Sequence, residues 1–116
     1  RVIVMSSQIP HKFSGSVTGT VINLSSKGQQ NIRFLTFLNT TAAVAYLQVF
    51  NLPSASVTLG TTVPALSIGV PASAALVLPL PEDGLNLGGD GLSVAGTTTR
   101  AGLTGAAQDL NIGWGN

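Results

Sequence analysis

The chain has 116 residues, enough for one domain with a core of its own. Only 8% of its residues are charged and its mean hydropathy is +0.43, whereas an ordinary soluble domain carries about 25% charged residues. A net charge of +1 gives no field that would draw the chain to a nucleic acid or a membrane surface. Because there is no cysteine, the fold depends on packing and not on disulfides.

So few charges leave the surface poorly protected against association. A folded chain of this mass exposes roughly 5,900 Å², or about 650 Å² for each charged side chain. No charge interrupts residues 34–81, and an uncovered sheet edge of that composition would aggregate. The composition therefore predicts a homo-oligomer, a dimer or a trimer, whose subunits cover one another. The basic residues concentrate in the first third and the acidic ones in the last third, which suits complementary contacts or arises by chance.

Helix-forming residues are scarce, β-branched residues abound, and 14 glycines and 6 prolines divide the chain into short segments. This pattern predicts an all-β fold, a single antiparallel β-sandwich or jelly roll of about eight strands, with an immunoglobulin-like topology still open. In chain order the expected strands are 13–22, 31–39, 42–51, 64–70, 74–80, 85–87, 92–95 and 109–114. Residues 1–12 form either a first strand or an arm that adds to a neighbouring subunit's sheet, and 13–116 form the sandwich domain.

The segments 31–39 and 42–51 are the clearest pair of strands, joined by a tight connection at 39–41. Strict alternation in the first puts Ile32, Phe34, Thr36 and Leu38 on one face. Both strands are apolar on both faces, so one face is expected in the sandwich core and the other in a subunit contact. The segments 64–70 and 74–80 are expected to form a second pair, with the prolines at strand starts, edges or bulges.

Residues with catalytic or metal-binding chemistry are few. His11 is the only histidine, follows Pro10, and is expected in an exposed loop, with no G-x-S-x-G motif to accompany it. Asp83, Asn86 and Asp90 could hold calcium, but their glycine-rich setting favours a tight turn. The sequence thus predicts no catalytic residue, no metal and no cofactor, and a small hydrolase is the least favoured hypothesis.

Two aromatic residues have alternative interpretations. Trp114, between two glycines near the end of the sequence, either anchors in a neighbour's pocket or closes the chain's own core, and burial of large aromatics favours the core. Tyr46 could stack on a sugar ring, but a single tyrosine on an apolar strand favours packing.

Residues 32–39 (IRFLTFLN), 42–51 (AAVAYLQVFN) and 57–64 (VTLGTTVP) resemble, in the same order, segments of small tailed-bacteriophage virion proteins. Further similar segments are 64–71, 84–85, 91–94 and 105–107, so that the resemblance covers roughly residues 30–112. It implies a jelly-roll module without catalytic residues, of the capsid decoration (cement) type or associated with the tail.

The resemblance leads to the hypothesis of a non-enzymatic cement protein on the outer surface of a phage capsid, made in the cytoplasm of the bacterial host. Its partners would be the major capsid protein and further copies of itself, with no nucleic acid and no membrane. A tail, fibre or host-binding module is the alternative. The residues expected at the interface are Arg1, Val2, Val4, Lys12, Tyr46, Phe50 and Trp114, with Arg1 and Lys12 docking on the capsid.

Overall fold

A computed structural model describes residues 11–26, 31–81 and 84–115. Its regular elements are nine strands and one 3-10 turn. The strands are β1 (His11–Val17), β2 (Ile22–Ser25), β3 (Asn31–Asn39), β4 (Ala45–Phe50), β5 (Leu66–Val70), β6 (Ala75–Val77), β7 (Leu85–Asn86), β8 (Leu92–Thr97) and β9 (Gln108–Gly115), and the turn is Ser54–Ser56. The all-β prediction is confirmed, with one strand more than the expected eight.

The strands form two antiparallel sheets. Sheet A has the order β1-β9-β3-β6, with β7 also paired to β3, and sheet B has the order β2-β8-β4-β5. If the two-residue β7 is set aside, the first strand pairs with the last, the second with the last but one, and so on inward to β4 with β5. This nested pairing is that of a jelly roll, so the predicted sandwich is confirmed in its topology.

The core lies between the two sheets and takes one side chain in two from most strands. Its fully buried members come from both sheets: Val17, Ile32, Leu35, Phe37, Leu47, Val49, Val70, Leu92, Val94, Leu110 and Ile112. Trp114, 6% exposed, closes one end of this cluster. The burial of Trp114 agrees with the interpretation that it completes the chain's own core.

The expected pairs of consecutive strands are wrong. β3 lies in sheet A and β4 in sheet B, and β5 and β6 are likewise in different sheets. Each strand of such a pair turns mainly apolar side chains inward, and placing the two strands in opposite sheets makes these faces meet. A hairpin would have put both faces on the same side of one sheet. The apolar run 34–81 therefore builds both walls of the core.

Asn39 stabilises the connection from β3 to β4, which is an arch, a loop that carries the chain from one sheet to the other. Its buried amide nitrogen Nδ2 donates to the carbonyl oxygens of Ala43 at 2.8 Å, Val70 at 2.9 Å and Pro71 at 3.1 Å. Its Oδ1 accepts from the backbone N–H of Thr41 at 2.9 Å and from the Thr41 hydroxyl at 2.7 Å. One side chain thus ties the β3–β4 arch to the β5–β6 arch.

The expected strand 13–22 is two strands in different sheets, β1 and β2. The chain leaves sheet A after Val17, and the carbonyl of Thr18 then accepts from the N–H of Gly96 on β8 at 2.8 Å. At this corner the backbone passes so close to the loop 98–107 that a Cβ on Gly19 would lie 2.8 Å from the Cα of Gly105. The second of the two strands, β2, runs on to Ser25, past the expected strand end at residue 22.

A bulge changes the alternation of β3. The register with β9 shifts between Ile32 and Phe34, so Ile32 faces the core together with Leu35 and Phe37. The expected grouping of Ile32 with Phe34, Thr36 and Leu38 is therefore wrong for Ile32. A bulge adds one residue to one strand, which moves every later side chain to the other face.

Gly96→Ala should destabilise the fold by about 1–3 kcal/mol. An added Cβ would lie 2.5 Å from the carbonyl oxygen of Ala106 and 2.9 Å from Nε2 of Gln108, and the backbone contact cannot yield cheaply. Urea unfolding followed by the fluorescence of the single tryptophan measures the effect. In the control Gly15→Ala, the atoms nearest to the new Cβ belong to the side-chain ring of Phe13, the first at 3.3 Å. A loss as large as that of Gly96→Ala would contradict the packing described.

Candidate interaction surface

The outer face of sheet B is covered by the chain's own loops. On β4 the outward side chains alternate with the core residues Leu47 and Val49, yet outward Phe50 is 0% exposed. The segment 51–65 crosses this face, and its carbonyl at Leu52 accepts a hydrogen bond of 2.9 Å from the hydroxyl of Ser93 on β8. The second apolar face of β4, expected in a subunit contact, is thus buried within the chain.

The loop 98–107 covers the rest of that face. Gln48 on β4, 0% exposed, donates through Nε2 to the hydroxyl of Thr97 at 2.8 Å and to the carbonyl of Gly102 at 3.0 Å. The Ser67 hydroxyl on β5 donates to the carbonyl of Arg100 at 2.6 Å. These bonds fix the loop across β4 and β5.

Sheet A presents its outer face in three rows of outward side chains that the pairing registers define. The first row is Lys12, Gly113 and Phe34; the second is Ser14, Asn111, Thr36 and Val77; the third is Ser16, Asp109, Leu38 and Ala75. The residues of each row follow the strand order β1, β9, β3 and, in the second and third rows, β6. The β1 side is therefore polar and the β3–β6 side mainly apolar. We call these eleven positions the sheet A face.

The apolar half of the sheet A face is open. Leu38 is 39% exposed and Val77 is 70% exposed, while Phe34 is half-buried and lies outside the core cluster. None of the loops that cross sheet B reaches these positions through a described hydrogen bond. Exposed apolar side chains on adjacent strands of a sheet form one continuous patch, which is the usual mark of an interaction site.

The residues expected at the interface, apart from Tyr46, fall into three groups. Arg1, Val2 and Val4 lie outside the described residues. Lys12 is exposed in β1 and belongs to the sheet A face. Phe50 and Trp114 are buried at 0% and 6% exposure, so neither offers an anchor to a neighbour.

Tyr46 has its partner within the chain. It is half-buried on β4, and the guanidinium carbon of Arg100 lies 5.7 Å from the centre of its ring. A cation above an aromatic ring at this distance is attracted to the ring face. The contact adds to the hydrogen bonds that hold the loop 98–107, and it occupies one face that a sugar ring would need.

His11 is exposed as expected but lies in β1 instead of in a loop. Its ring stacks on that of Trp114, with the centroids 5.6 Å apart and the planes 20° from parallel. The stack closes the end of the core, which gives the single histidine a packing role. Among residues 11–26, 31–81 and 84–115, no group of three or more metal-binding side chains occurs. That same part of the chain has no helix long and apolar enough to cross a bilayer.

Sequence reasoning missed most of the sheet A face. Phe34 and Leu38 were grouped on one strand face, but Val77, Asn111 and Asp109 were not connected with them. Only the antiparallel registers of β9 and β6 with β3 bring these residues into rows. The sequence feature that pointed to such a face was the absence of charged residues from 34–81. It predicted an apolar surface but not its position in the fold.

Comparison with known proteins adds no relative: no family model, no curated protein and no solved structure matches the chain.

Proposed function

We propose that this chain is a non-enzymatic structural subunit of a tailed-phage virion, a decoration protein that self-associates and bridges major capsid subunits on the outside of the head. The observation that carries the proposal is the open apolar half of the sheet A face. A protein with so few charges needs its apolar surface covered, and this face is left open by the described part of the chain.

The covered outer face of sheet B sharpens the proposal. Loops 51–65 and 98–107 are tied to β4, β5 and β8 by hydrogen bonds and cover the strands on that side, while Val63 and Leu103 stay exposed on the loops themselves. The two sides of the sandwich therefore differ: the strands of sheet A are open, and those of sheet B lie under loops. One open sheet face for association suits a subunit that sits on a larger surface.

The fold and the family resemblance add support of a weaker kind. Jelly rolls serve as viral capsid modules, but also as lectin domains and cupins, so the topology alone does not fix the function. A cement role requires only repeated contacts. A standard interface buries about 1,600 Å², and many such contacts around a shell would resist its internal pressure.

Imaging of virions tests the proposal. Cryo-electron microscopy of the phage that encodes this chain should show an 11.7 kDa β-sandwich at junctions between capsid subunits. Particles from a phage that lacks the gene should show no density there and should release their DNA at a lower temperature. Density on the tail would replace this proposal with the tail or fibre alternative, and absence from the virion would overturn both.

A further inference from the structure

We propose that the sheet A face is a self-complementary surface, at which a second copy of this chain packs face to face about a two-fold axis that runs along the Ser14, Asn111, Thr36 and Val77 row. The inference deepens the proposed function, since it names the surface by which the subunit self-associates.

The row order makes the face complementary to itself. A half turn about an axis along the middle row places each strand of the second copy over the same strand of the first. It also lays the first row of one copy over the third row of the other. Phe34 of one copy then lies over Leu38 of the other, and this contact occurs twice, as a two-fold interface requires. In the middle row Thr36 meets Thr36, and Val77 meets Val77.

The charges of the face agree with the same axis. Lys12 and Asp109 are the charged residues among its eleven positions. Within one chain they lie in different rows, four residues apart along the strands, or roughly 13 Å. The half turn brings Lys12 over the third row on β1, beside Asp109 of the second copy on the adjacent strand. Two symmetry-related pairs of opposite charge therefore form at the polar side of the interface.

The size of the face sets the expected strength. Three rows on four strands cover roughly 20 Å by 20 Å with their side chains, or about 400 Å². A standard interface buries about 800 Å² on each partner. The face thus supplies about half of a stable interface, so the dimer should dissociate readily in solution and should be reinforced where a larger surface holds the copies together.

Sedimentation of the full chain from about 10 µM to about 1 mM should show a concentration-dependent dimer. Val77→Asp places two carboxylates opposite each other across the axis and should raise the dimer Kd at least about tenfold. Val63→Asp is the matched control, because Val63 is 82% exposed in the segment that covers sheet B. It should change Kd less than about twofold. Equal effects of the two variants, or a wild-type monomer over this range, would overturn the inference.

A charge exchange tests the axis itself. Lys12→Glu should weaken the dimer about threefold or more, and Asp109→Lys likewise, since each leaves like charges side by side. The double variant should return Kd to within about twofold of wild type, because the pair is restored in reversed order. Failure of the double variant to recover would exclude this orientation even if a dimer forms.

Crosslinking locates the axis without altering the charge. The chain has no cysteine, so Thr36→Cys introduces a single thiol close to the axis. A short bis-maleimide should join two copies of this variant efficiently and should join copies of Val63→Cys only slowly. A Thr36→Cys thiol that resists labelling in the monomer would show that the chain covers its own face, and would overturn the inference.

The two proposals fail separately. If Val77→Asp changes neither capsid occupancy nor the dimer Kd, the proposed dimer face is overturned and the cement proposal stands. If Val77→Asp weakens the dimer but the protein is absent from the virion, the dimer face stands and the cement proposal is overturned.

Discussion

Asn39→Asp is expected to lower the free energy of unfolding at neutral pH by about 3 kcal/mol or more. The change keeps the size of the side chain but replaces the amide donor by a carboxylate. The carbonyl oxygens of Ala43, Val70 and Pro71, which the amide now contacts at 2.8 to 3.1 Å, would then face a buried negative charge. Buried carbonyls without a donor add their own desolvation cost.

Urea unfolding at low micromolar concentration measures this effect with the dimer dissociated. Asn111→Ala is the control, because Asn111 is exposed on the sheet A face and its loss should cost less than about 0.5 kcal/mol. If Asn39→Asp were as stable as wild type, the two arches would not depend on the side chain of Asn39.

Phe50→Ala is expected to destabilise the monomer by about 3–5 kcal/mol. Phe50 is 0% exposed on the outer side of sheet B, and its pairing partner Ser93 on β8 donates its hydroxyl to the carbonyl of Leu52 in the segment 51–65. Truncation would leave a cavity on this side of sheet B, close to the point where that segment is bonded to it. The loss should appear in the unfolding curve at every protein concentration, because the contact lies within one chain.

The same variant separates the two roles considered for Phe50. As an interface anchor, its truncation would leave the monomer stable and weaken association instead. Val63→Ala is the comparison, since this exposed valine should contribute within about 0.5 kcal/mol. A stable Phe50→Ala monomer would show that the segment 51–65 does not rely on the phenyl ring.

The sequence contained enough information for the fold class and most of the strand positions. Alternation and turn residues located β3, β4, β5 and β9 within a few residues, because these strands have strong apolar faces between glycine and proline. Burial of Trp114 was likewise predictable from the size of its side chain. Strand positions and the burial of a large side chain depend on residues that are close together in the sequence, so local sequence patterns predict them.

The strand partners were not predictable in the same way. Pairing the neighbours β3 and β4 is the usual first choice, since sequential strands are adjacent about two-thirds of the time. The choice between a hairpin and an arch depends on interactions such as that of Asn39 with Val70, 31 residues away. The bulge near Arg33 is set by the register with β9 and has no signature in β3 alone.

The sheet A face was likewise predictable only in part. Composition predicted that some apolar surface is meant to be covered, but the residues expected on it included Phe50, which is 0% exposed within the chain. The sheet A face combines residues from four strands separated by up to about a hundred positions in the chain. Only three-dimensional pairing could assemble it.

The nested pairing has a consequence for the timing of synthesis. β9 lies between β1 and β3, so sheet A stays incomplete until residues 108–115 have left the ribosome. Asn111 and Asp109 are part of β9, and Lys12 pairs with the same strand. A nascent polypeptide therefore lacks the finished association surface until β9 has emerged, and the architecture itself delays self-association until then.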